Sequence, residues 1–427
     1  MAVQNEFQLF KERRFFPLFA SQFLGALNDN LFKNALIIFL AFGKPILGFN
    51  QDTLINICAA LFILPYFLFS AIAGQLADKY EKSNLIRWIK FAEVLLAIII
   101  SLGFYFNHFV LLLLGLFLLG TQATFFGPLK YSILPQQLKD SELVGGNGLV
   151  EMGTFIAILI GTIVGGVLIA IPNTGNLWVS LAILLVAFFG FAISLAIPKA
   201  PPYMTSLTVD WNLFKQTISI VKDAFKIPTV FYSIIGISWF WLYGSIFLTQ
   251  TPNYTKLILG GNEYVATLIL VAFSIGIGLG SAMCEWLSSK KIELGFVSLG
   301  SLGLTLFSID LALTTSPFVG EAVGALTFLS EPQSWRILID GTMMGASGGI
   351  YLVPLYTLIQ KTSPPEKRSR MIAANNIVNA VFMVGASLMA IVVLNAHFSI
   401  PELFMITAFL NLGMGGLLFK LNKYPAY

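Results

Sequence analysis

The sequence predicts an all-α membrane protein with twelve transmembrane helices in two six-helix pseudo-repeats. Hydrophobic residues make up 57% of the 427 residues and charged residues only 11%, whereas a soluble domain carries roughly 25% charged residues. Twelve apolar stretches are each long enough to cross ~30 Å of hydrocarbon as a helix. Nearly all of the 25 Lys and Arg residues flank these stretches on one side. The exceptions are Lys33, Lys44, Lys256 and Arg336.

The bias of the basic residues predicts the orientation in the membrane. Loops rich in Lys and Arg stay in the cytoplasm, so we expect both termini of this multi-pass protein to be cytoplasmic. The net charge of +4 is too small and too dispersed to indicate nucleic-acid binding. The predicted spans are roughly 15–42, 52–77, 84–106, 109–131, 146–171, 176–197, 227–250, 262–287, 293–314, 335–360, 371–395 and 400–420.

A polar segment divides the chain into two halves. We predict an N-terminal six-helix half at 1–198, a cytoplasmic linker at 199–226 and a C-terminal six-helix half at 227–427. The linker opens with Pro201-Pro202, which ends the preceding helix. It continues with an apolar stripe at helical spacing, flanked by lysines, that favours an amphipathic helix on the inner membrane surface over a solvated linker helix. The stripe is Trp211, Phe214, Ile218, Val221 and Phe225, and the lysines are Lys215, Lys222 and Lys226.

The two halves echo each other in sequence. Gly146–Glu151 reads GNGLVE at the start of span five, and Ala374–Asn379 reads ANNIVN at the start of span eleven. Secondary transporters are built from such repeats and place the substrate site at the repeat interface. The pattern therefore indicates a transporter.

The loop after span two, GQLADKYEK from Gly74 to Lys82, resembles the signature loop of the major facilitator superfamily. Gly74 allows close contact between helices, and Asp78 is suited to the positive end of a neighbouring helix. Basic residues such as Lys79 stay at the lipid phosphates. We expect Gly74, Asp78 and Lys79 to latch one conformational state, and the alternative is an ordinary charged loop.

Polar residues inside the spans point to a binding site, because a charge at the bilayer centre costs ~2.5–3.5 kcal/mol on insertion scales. Gln22, Asp29 and Lys33 share one face of span one, and Asn28 and Asn30 lie beside it. This face is either the polar wall of a central cavity or the setting of a structural Asp29–Lys33 pair at i,i+4.

Other spans carry further candidates. Lys130 is either a membrane anchor or a phosphate partner. Glu93 has Lys90 one turn away, and Asp340 has Arg336 one turn away, so we interpret both as local structural pairs. The remaining predicted substrate-binding residues are Tyr131 in span four, Asn147 and Glu151 in span five, and Asn375 and Asn379 in span eleven.

The chain has no signature of an enzyme. His108 and His397 lie at the ends of spans without a Cys or Ser partner at catalytic spacing. The phosphate-binding GxxxxGK[ST] motif is missing from the sequence. Cys58 and Cys284 are expected to be buried thiols. We therefore predict no catalytic residues, no metal and no cofactor.

Several segments together resemble the bacterial lysophospholipid transporters of the major facilitator superfamily. They are Ser21–Leu24 with Asn28–Asn30, Gly74–Lys79, Phe126–Leu134, Gly146–Glu151, and Gly348-Gly349 with Val353–Leu355. The resemblance implies the superfamily architecture, a monomer, and a function in which a lysophospholipid such as lysophosphatidylethanolamine is flipped across the bacterial inner membrane to the cytoplasmic leaflet. It also implies a functional coupling to a cytoplasmic-side acyltransferase. One feature departs from the family pattern, since span seven lacks the arginine that relatives carry.

The mechanism implied is alternating access, with the head group sliding along the polar wall. Asp29 and Glu151 would attract an ammonium, and Lys33 and Lys130 a phosphate. A proton-coupled exporter of drugs or siderophores on the same fold, with Asp29 or Glu151 as proton carrier, is the main alternative. A further alternative is a membrane subunit that acts as a sensor or binds a partner and does not transport.

Overall fold

The computed structural model describes residues 6–41, 51–288, 293–314 and 323–424, so Lys44 lies outside the described residues. The described chain is almost entirely helical, and an isolated bridge between Gly261 and Val323 is its one β-type pairing. The helices are α1 (Phe16–Ala41), α2 (Gln51–Lys79), α3 (Lys82–Tyr105), α4 (Phe109–Ser132), α5 (Leu134–Gln137), α6 (Leu143–Ile169), α7 (Gly175–Ser194), α8 (Leu213–Phe225), α9 (Pro228–Leu257), α10 (Glu263–Ser288), α11 (Gly295–Leu313), α12 (Ala325–Ser330), α13 (Pro332–Thr362), α14 (Arg368–Asn395) and α15 (Ile400–Leu418).

The predicted fold class, an all-α membrane protein, is confirmed. Within the described ranges, eleven helices are long and apolar enough to cross a membrane. The twelfth, α3, has 24 residues, or about 36 Å at 1.5 Å per residue, and carries four charged side chains. The predicted boundaries lie within three residues of these helices, except that α9 continues to Leu257, beyond the predicted end at 250. The short helices α5 and α12 were not predicted.

Side chains at the helix ends explain why the spans begin where they do. The Glu81 carboxylate accepts hydrogen bonds from the backbone N–H groups of Ser83 and Asn84 at the start of α3. His108 Nδ1 accepts from the N–H of Leu111, 3.2 Å away, at the start of α4. Both satisfy N–H groups that a helix leaves unpaired. His108 is thus the N-cap of α4.

Three tight turns between spans use left-handed backbone. Asn107, Asn173 and His397 have φ angles of 50°, 61° and 64°. Asn107 and His397 follow the ends of α3 and α14, where a left-handed residue commonly stops a helix, and Asn173 lies in the turn between α6 and α7. Asparagine tolerates this conformation better than most side chains do, so two of the three turns have a visible signal in the sequence.

The chain forms two compact units. Unit 1 comprises 1–146, 156–226 and 363–377, and unit 2 comprises 147–155, 227–362 and 378–427. In unit 1, α2 packs on α4, α3 on α4 and α7, and α1 on α7. In unit 2, α10 packs on α13, α11 on α13 and α15, and α9 on α15. The same helix pairs therefore recur in the same order along the chain, as expected for an internal repeat. The domain boundaries at 198 and 227 stay a prediction.

Glycines let helices approach closely within each unit. In unit 1, a side chain at Gly161 or Gly165 of α6 would overlap the α1 backbone at Leu27 and Leu31. In unit 2, a side chain at Gly276 of α10 would overlap the α13 carbonyl of Thr342. Small residues allow this contact because apolar burial does not drive helix association in lipid.

The linker contains the predicted helix, α8, and this helix packs on α2. Thr217 Oγ1 donates a hydrogen bond to the backbone oxygen of Phe67 over 3.3 Å, and the side chain of Ile220 is buried. The apolar stripe faces outward, with Phe214 75% and Ile218 55% exposed. An outward apolar stripe on a helix attached to a membrane span favours contact with lipid.

Candidate functional site

Asp29 lies in α1 among charged side chains of unit 1. It is half-buried, and its Oδ1 atom is buried without a hydrogen-bond partner among the described residues. Lys33, Lys90 and Lys130 attract it electrostatically, and Glu93 repels it. A carboxylate oxygen in this setting is available to a cationic ligand or to a proton.

Lys33 does not form the local ion pair with Asp29 that we considered as the structural alternative. Within the described residues, no ion pair within 4.0 Å joins the two side chains. Lys33 Nζ instead lies 4.3 Å from the centre of the Phe62 ring. A cation held by an aromatic face retains its charge for a second, anionic partner.

The neighbouring Asn28 takes part in a buried network that we name the Glu93 network, formed by Asn28, Lys90, Glu93 and Gln122. Lys90 Nζ lies 2.7 Å from Glu93 Oε2, and both side chains are 1% exposed. Gln122 Nε2 donates to Glu93 Oε2 over 2.9 Å, and Asn28 Nδ2 donates to Glu93 Oε1 over 3.1 Å. The network joins α1, α3 and α4, so a single carboxylate ties three helices together.

This network fits the structural role expected for Glu93 and Lys90, but the sequence did not reveal its other members. Gly25 makes room for Lys90, because a side chain there would overlap Lys90 Nζ. Asn28, which we predicted to face substrate, donates its amide to Glu93. The one signal of these members in the sequence was a polar residue within each of two spans, Asn28 in α1 and Gln122 in α4.

The remaining predicted residues of unit 1 differ in their surroundings. Asn30 Nδ2 donates to the backbone oxygen of Ala26 over 2.7 Å, within its own helix. Gln22 and Tyr131 are buried. Lys130 Nζ lies 4.6 Å from the Tyr131 ring centre and is half-buried. Lys130 and Asp29 belong to the same unit, and substrate binding by both stays a prediction.

In unit 2, two predicted residues make packing contacts. Asn147 and Gln360 exchange amide hydrogen bonds of 2.7 and 2.9 Å. Asn379 Oδ1 accepts from Ser238 Oγ over 2.7 Å. Glu151 is 1% exposed on α6. These contacts hold α6 to α13 and α14 to α9, and substrate binding by these residues stays a prediction.

Asn375 is the predicted residue whose environment is hardest to explain by packing. It belongs to the part of α14 that lies in unit 1 and is fully buried. Neither its Oδ1 nor its Nδ2 has a hydrogen-bond partner in the described ranges. An unpaired buried amide costs about 1–3 kcal/mol, so this environment is stable only because other contacts offset that cost.

The segment predicted as a loop after span two lies in α2 as far as Lys79, and this end of α2 meets the first turns of α14 within unit 1. Asp78 Oδ1 accepts from the backbone N–H of Ser369 at 3.0 Å, and Asp78 Oδ2 accepts from Arg370 Nε at 2.8 Å. A side chain at Gly74 would lie 2.8 Å from Ala373 Cβ. The expectation that Asp78 meets the positive end of a helix and that Gly74 permits close contact is confirmed.

The partners of Asp78 were not identified from the sequence. Ser369 and Arg370 lie about 290 residues further along the chain, and no local pattern connects such distant positions. Lys79 Nζ lies 5.5 Å from the ring centre of Tyr80. Gating by Gly74, Asp78 and Lys79 stays a prediction.

One predicted ion pair was wrong. Arg336 does not pair with Asp340 one turn along α13, but donates to the carboxylate of Asp310 on α11, with Nε 2.9 Å from Oδ2. The start of α13 packs beside the end of α11, so the long guanidinium side chain reaches a neighbouring helix. Asp340 is 2% exposed. Among the described residues, no group of three His, Cys, Asp or Glu side chains is arranged to hold a metal ion.

Comparisons with known proteins agree with this architecture. The chain is 26% identical over 348 residues to the lysophospholipid transporter LplT of Photorhabdus laumondii, covering 80% of this chain and 78% of that one. It is 27% identical over 363 residues to LplT of Escherichia fergusonii, covering 84% and 81%.

Solved structures share the fold at low sequence identity. The transporter FucP in its outward conformation superimposes with a TM-score of 0.70 at 15% identity, over 96% of this chain and 99% of that chain. The proton:xylose symporter XylE superimposes with a TM-score of 0.68 at 12% identity, over 95% of each. The family model of the Major Facilitator Superfamily matches residues 18–320. The chain therefore belongs to the Major Facilitator Superfamily.

Proposed function

We propose that this protein flips lysophospholipids, such as lysophosphatidylethanolamine, across the bacterial inner membrane toward the cytoplasmic leaflet by alternating access. The observation that carries the proposal is the buried, unpartnered Oδ1 of Asp29 amid the cations Lys33 and Lys130. A zwitterionic head group needs this combination of an acceptor for an ammonium and donors for a phosphate. The names of the relatives with 26–27% identity support the same substrate class.

The cations near Asp29 have different parts in this proposal. Lys90 is committed to Glu93, so it holds α1 in place and does not bind phosphate. Lys33 and Lys130 lie against aromatic rings, which support a positive charge without neutralising it. They are the phosphate donors, and Asp29 is the acceptor for the amine. The single acyl tail stays in apolar surroundings, because only the head group must be desolvated to cross.

Asp78 supplies the latch of the cycle. Its charge-assisted hydrogen bonds to Ser369 and Arg370 hold the start of α14 against α2 in one state, and their rupture releases it. The buried amide of Asn375 lies one to two turns further along α14. It gains hydrogen-bond partners when this contact opens, which lowers the free-energy difference between the two states.

Head-group selectivity provides the test. Uptake of labelled lysophosphatidylethanolamine and lysophosphatidylglycerol is measured in spheroplasts that express Asp29→Asn, Lys33→Gln or Lys130→Gln at equal levels. Asp29→Asn is expected to weaken uptake of the ethanolamine lipid about tenfold and to spare the glycerol lipid, because a charge-assisted hydrogen bond contributes ~1.5–3 kcal/mol. Each lysine variant is expected to weaken uptake of both. The exposed Lys256→Gln is the matched control.

Wild-type uptake of both lipids by the Asp29 and Lys130 variants would refute the assignment. A second candidate is the proton-coupled exporter, which the unpartnered Asp29 oxygen also favours, since a buried carboxyl without a fixed partner is suited to carry a proton. Substrate transport that depends on a pH gradient, together with no lysophospholipid uptake, would support that candidate instead.

A further inference from the structure

An apolar groove of about 190 Å³ runs between α2, α3 and α4 of unit 1, apart from Asp29 and its neighbours. α2 contributes Ala73 and Leu76, and α4 contributes Phe125 and Leu129. α3 contributes four residues, of which Trp88 is 63% exposed at the edge of the groove. The volume corresponds to roughly six water molecules at ~30 Å³ each, which suits a short run of methylenes.

The groove leads along α3 to a buried lysine. Lys82, Leu85, Ile89 and Ala92 follow one another at i, i+3, i+7 and i+10, so they share one face of α3. Leu85, Ile89 and Ala92 line the groove. Lys82 therefore lies at the start of α3, one turn before Leu85, the first groove residue of this helix.

The ammonium of Lys82 lacks a hydrogen-bonded counter-ion. Lys82 is 1% exposed, and its Nζ has no hydrogen-bond partner in the part of the chain that the structure describes. It lies 5.3 Å from the ring centre of Tyr203. The guanidinium of Arg368 repels it, whereas Asp78 and Glu81 attract it.

Both of these carboxylates are already engaged by other donors. Asp78 accepts from Ser369 and Arg370. Glu81 accepts from the N–H groups of Ser83, Asn84 and Ala200. A buried ammonium without a hydrogen-bonded anion is unfavourable, so the position calls for an anionic group from outside the chain.

From the groove and this lysine together, we infer that unit 1 holds a resident membrane phospholipid, with one acyl chain in the groove and its phosphate at Lys82. Any acyl chain would fill an apolar groove in a bilayer, so the groove alone confers no selectivity. The contact between the lipid phosphate and the Lys82 ammonium supplies the selectivity. No charged side chain lines the groove, so a transported head group would find no support along it, and the lipid here is resident and distinct from the cargo.

Native mass spectrometry of the full chain, purified in mild detergent, tests the inference. The wild type is expected to retain one phospholipid. Ala92→Phe fills the groove and Lys82→Gln removes the charge, and each is expected to lower the retained fraction about tenfold. Lys82→Arg is expected to restore it. Leu95→Phe, at a 47% exposed position one turn along α3 and outside the groove, is the matched control and is expected to retain the lipid.

The outcomes separate this inference from the proposed function. Retention by Ala92→Phe equal to that of Leu95→Phe would overturn it, as would a wild-type adduct that consists of detergent only. Displacement of the adduct by inorganic phosphate alone would show a free-anion site and would also overturn it. Loss of both bound lipid and lysophospholipid uptake in Ala92→Phe would place the groove on the transport path and refute the resident lipid.

Discussion

Replacing either member of the buried Lys90–Glu93 pair leaves the other charge without its counter-ion inside unit 1. Lys90→Met strands a carboxylate, and Glu93→Gln strands an ammonium, each at a site that is 1% exposed. Loss of one partner of a buried pair costs about 3–5 kcal/mol. The glutamine keeps one acceptor oxygen, so it accepts from Asn28 or from Gln122 but not from both, which in Glu93 bond to different oxygens.

The double variant Lys90→Met/Glu93→Gln is expected to recover most of this loss. It contains no buried charge at the site and loses the acceptor of one amide only, so its free energy of unfolding should lie within ~1–3 kcal/mol of the wild type. The coupling energy between the two positions is then several kcal/mol. This is a large fraction of the ~5–15 kcal/mol that stabilises a typical protein.

The assay is thermal unfolding of the protein in detergent, followed with a thiol-reactive fluorophore. The fluorophore reports unfolding because Cys58 and Cys284 are both buried in the folded protein. The chain also offers a matched control in Lys226 and Asp223, which form an exposed pair of the same i,i+3 spacing and the same 2.7 Å distance. Neutralising that pair is expected to give a coupling energy of at most ~0.5 kcal/mol. Additive single effects at Lys90 and Glu93 would refute the reasoning.

Three further predictions concern packing and capping. Gly165→Val is expected to destabilise the protein by ~1–3 kcal/mol or more, because a side chain there overlaps the α1 backbone. The control is Gly413→Ala, where an added side chain meets no atom within 4 Å. This change should stabilise its helix by ~0.4–1 kcal/mol. Asn147→Ala should cost about 1–3 kcal/mol by removing the two hydrogen bonds between Asn147 and the buried Gln360 amide, and Asn147→Leu/Gln360→Leu should cost less than the single change. Burial acts to raise the pKa of Glu81, but hydrogen bonds from three backbone N–H groups and Ser83 outweigh it and hold that pKa below its usual value.

The same thermal unfolding measurements check these predictions. The sign of the Glu81 effect follows from the linkage between proton binding and folding. A carboxyl whose pKa is lower in the folded state contributes stability above its unfolded pKa of ~4.3, and that contribution is lost as the pH falls through the folded pKa. Glu81→Gln should therefore lose stability near neutral pH and lose less than the wild type on acidification. A stable Gly165→Val, an unstable leucine pair or an unchanged acid profile would each contradict the corresponding prediction.

The sequence was sufficient to predict the features that depend on neighbouring residues. Hydropathy located the spans, and helical spacing located α8 within the linker. The cost of a charge in hydrocarbon drew attention to Asp29, Lys33 and Glu93. These signals are local, because each depends on a run of residues or on one expensive side chain.

Contacts between distant segments were not predictable in the same way. Nothing near Asp78 indicates that Arg370 will meet it, and nothing near Arg336 indicates that Asp310 is a better partner than Asp340. The i,i+4 rule favoured Asp340 because it considers one helix in isolation. Long side chains at helix ends reach neighbouring helices instead, and their choice depends on packing that a single sequence does not reveal.

The assignment of residues 147–155 to unit 2 and of 363–377 to unit 1 has a consequence for biosynthesis. Unit 1 acquires its last segment only after most of the chain has left the ribosome. The N-terminal spans must therefore wait in the membrane, partly assembled, while the later ones are inserted. Fragments divided in the linker and produced from separate messages would each lack a piece of their own unit, so we expect neither to mature alone and both to be stable when made together.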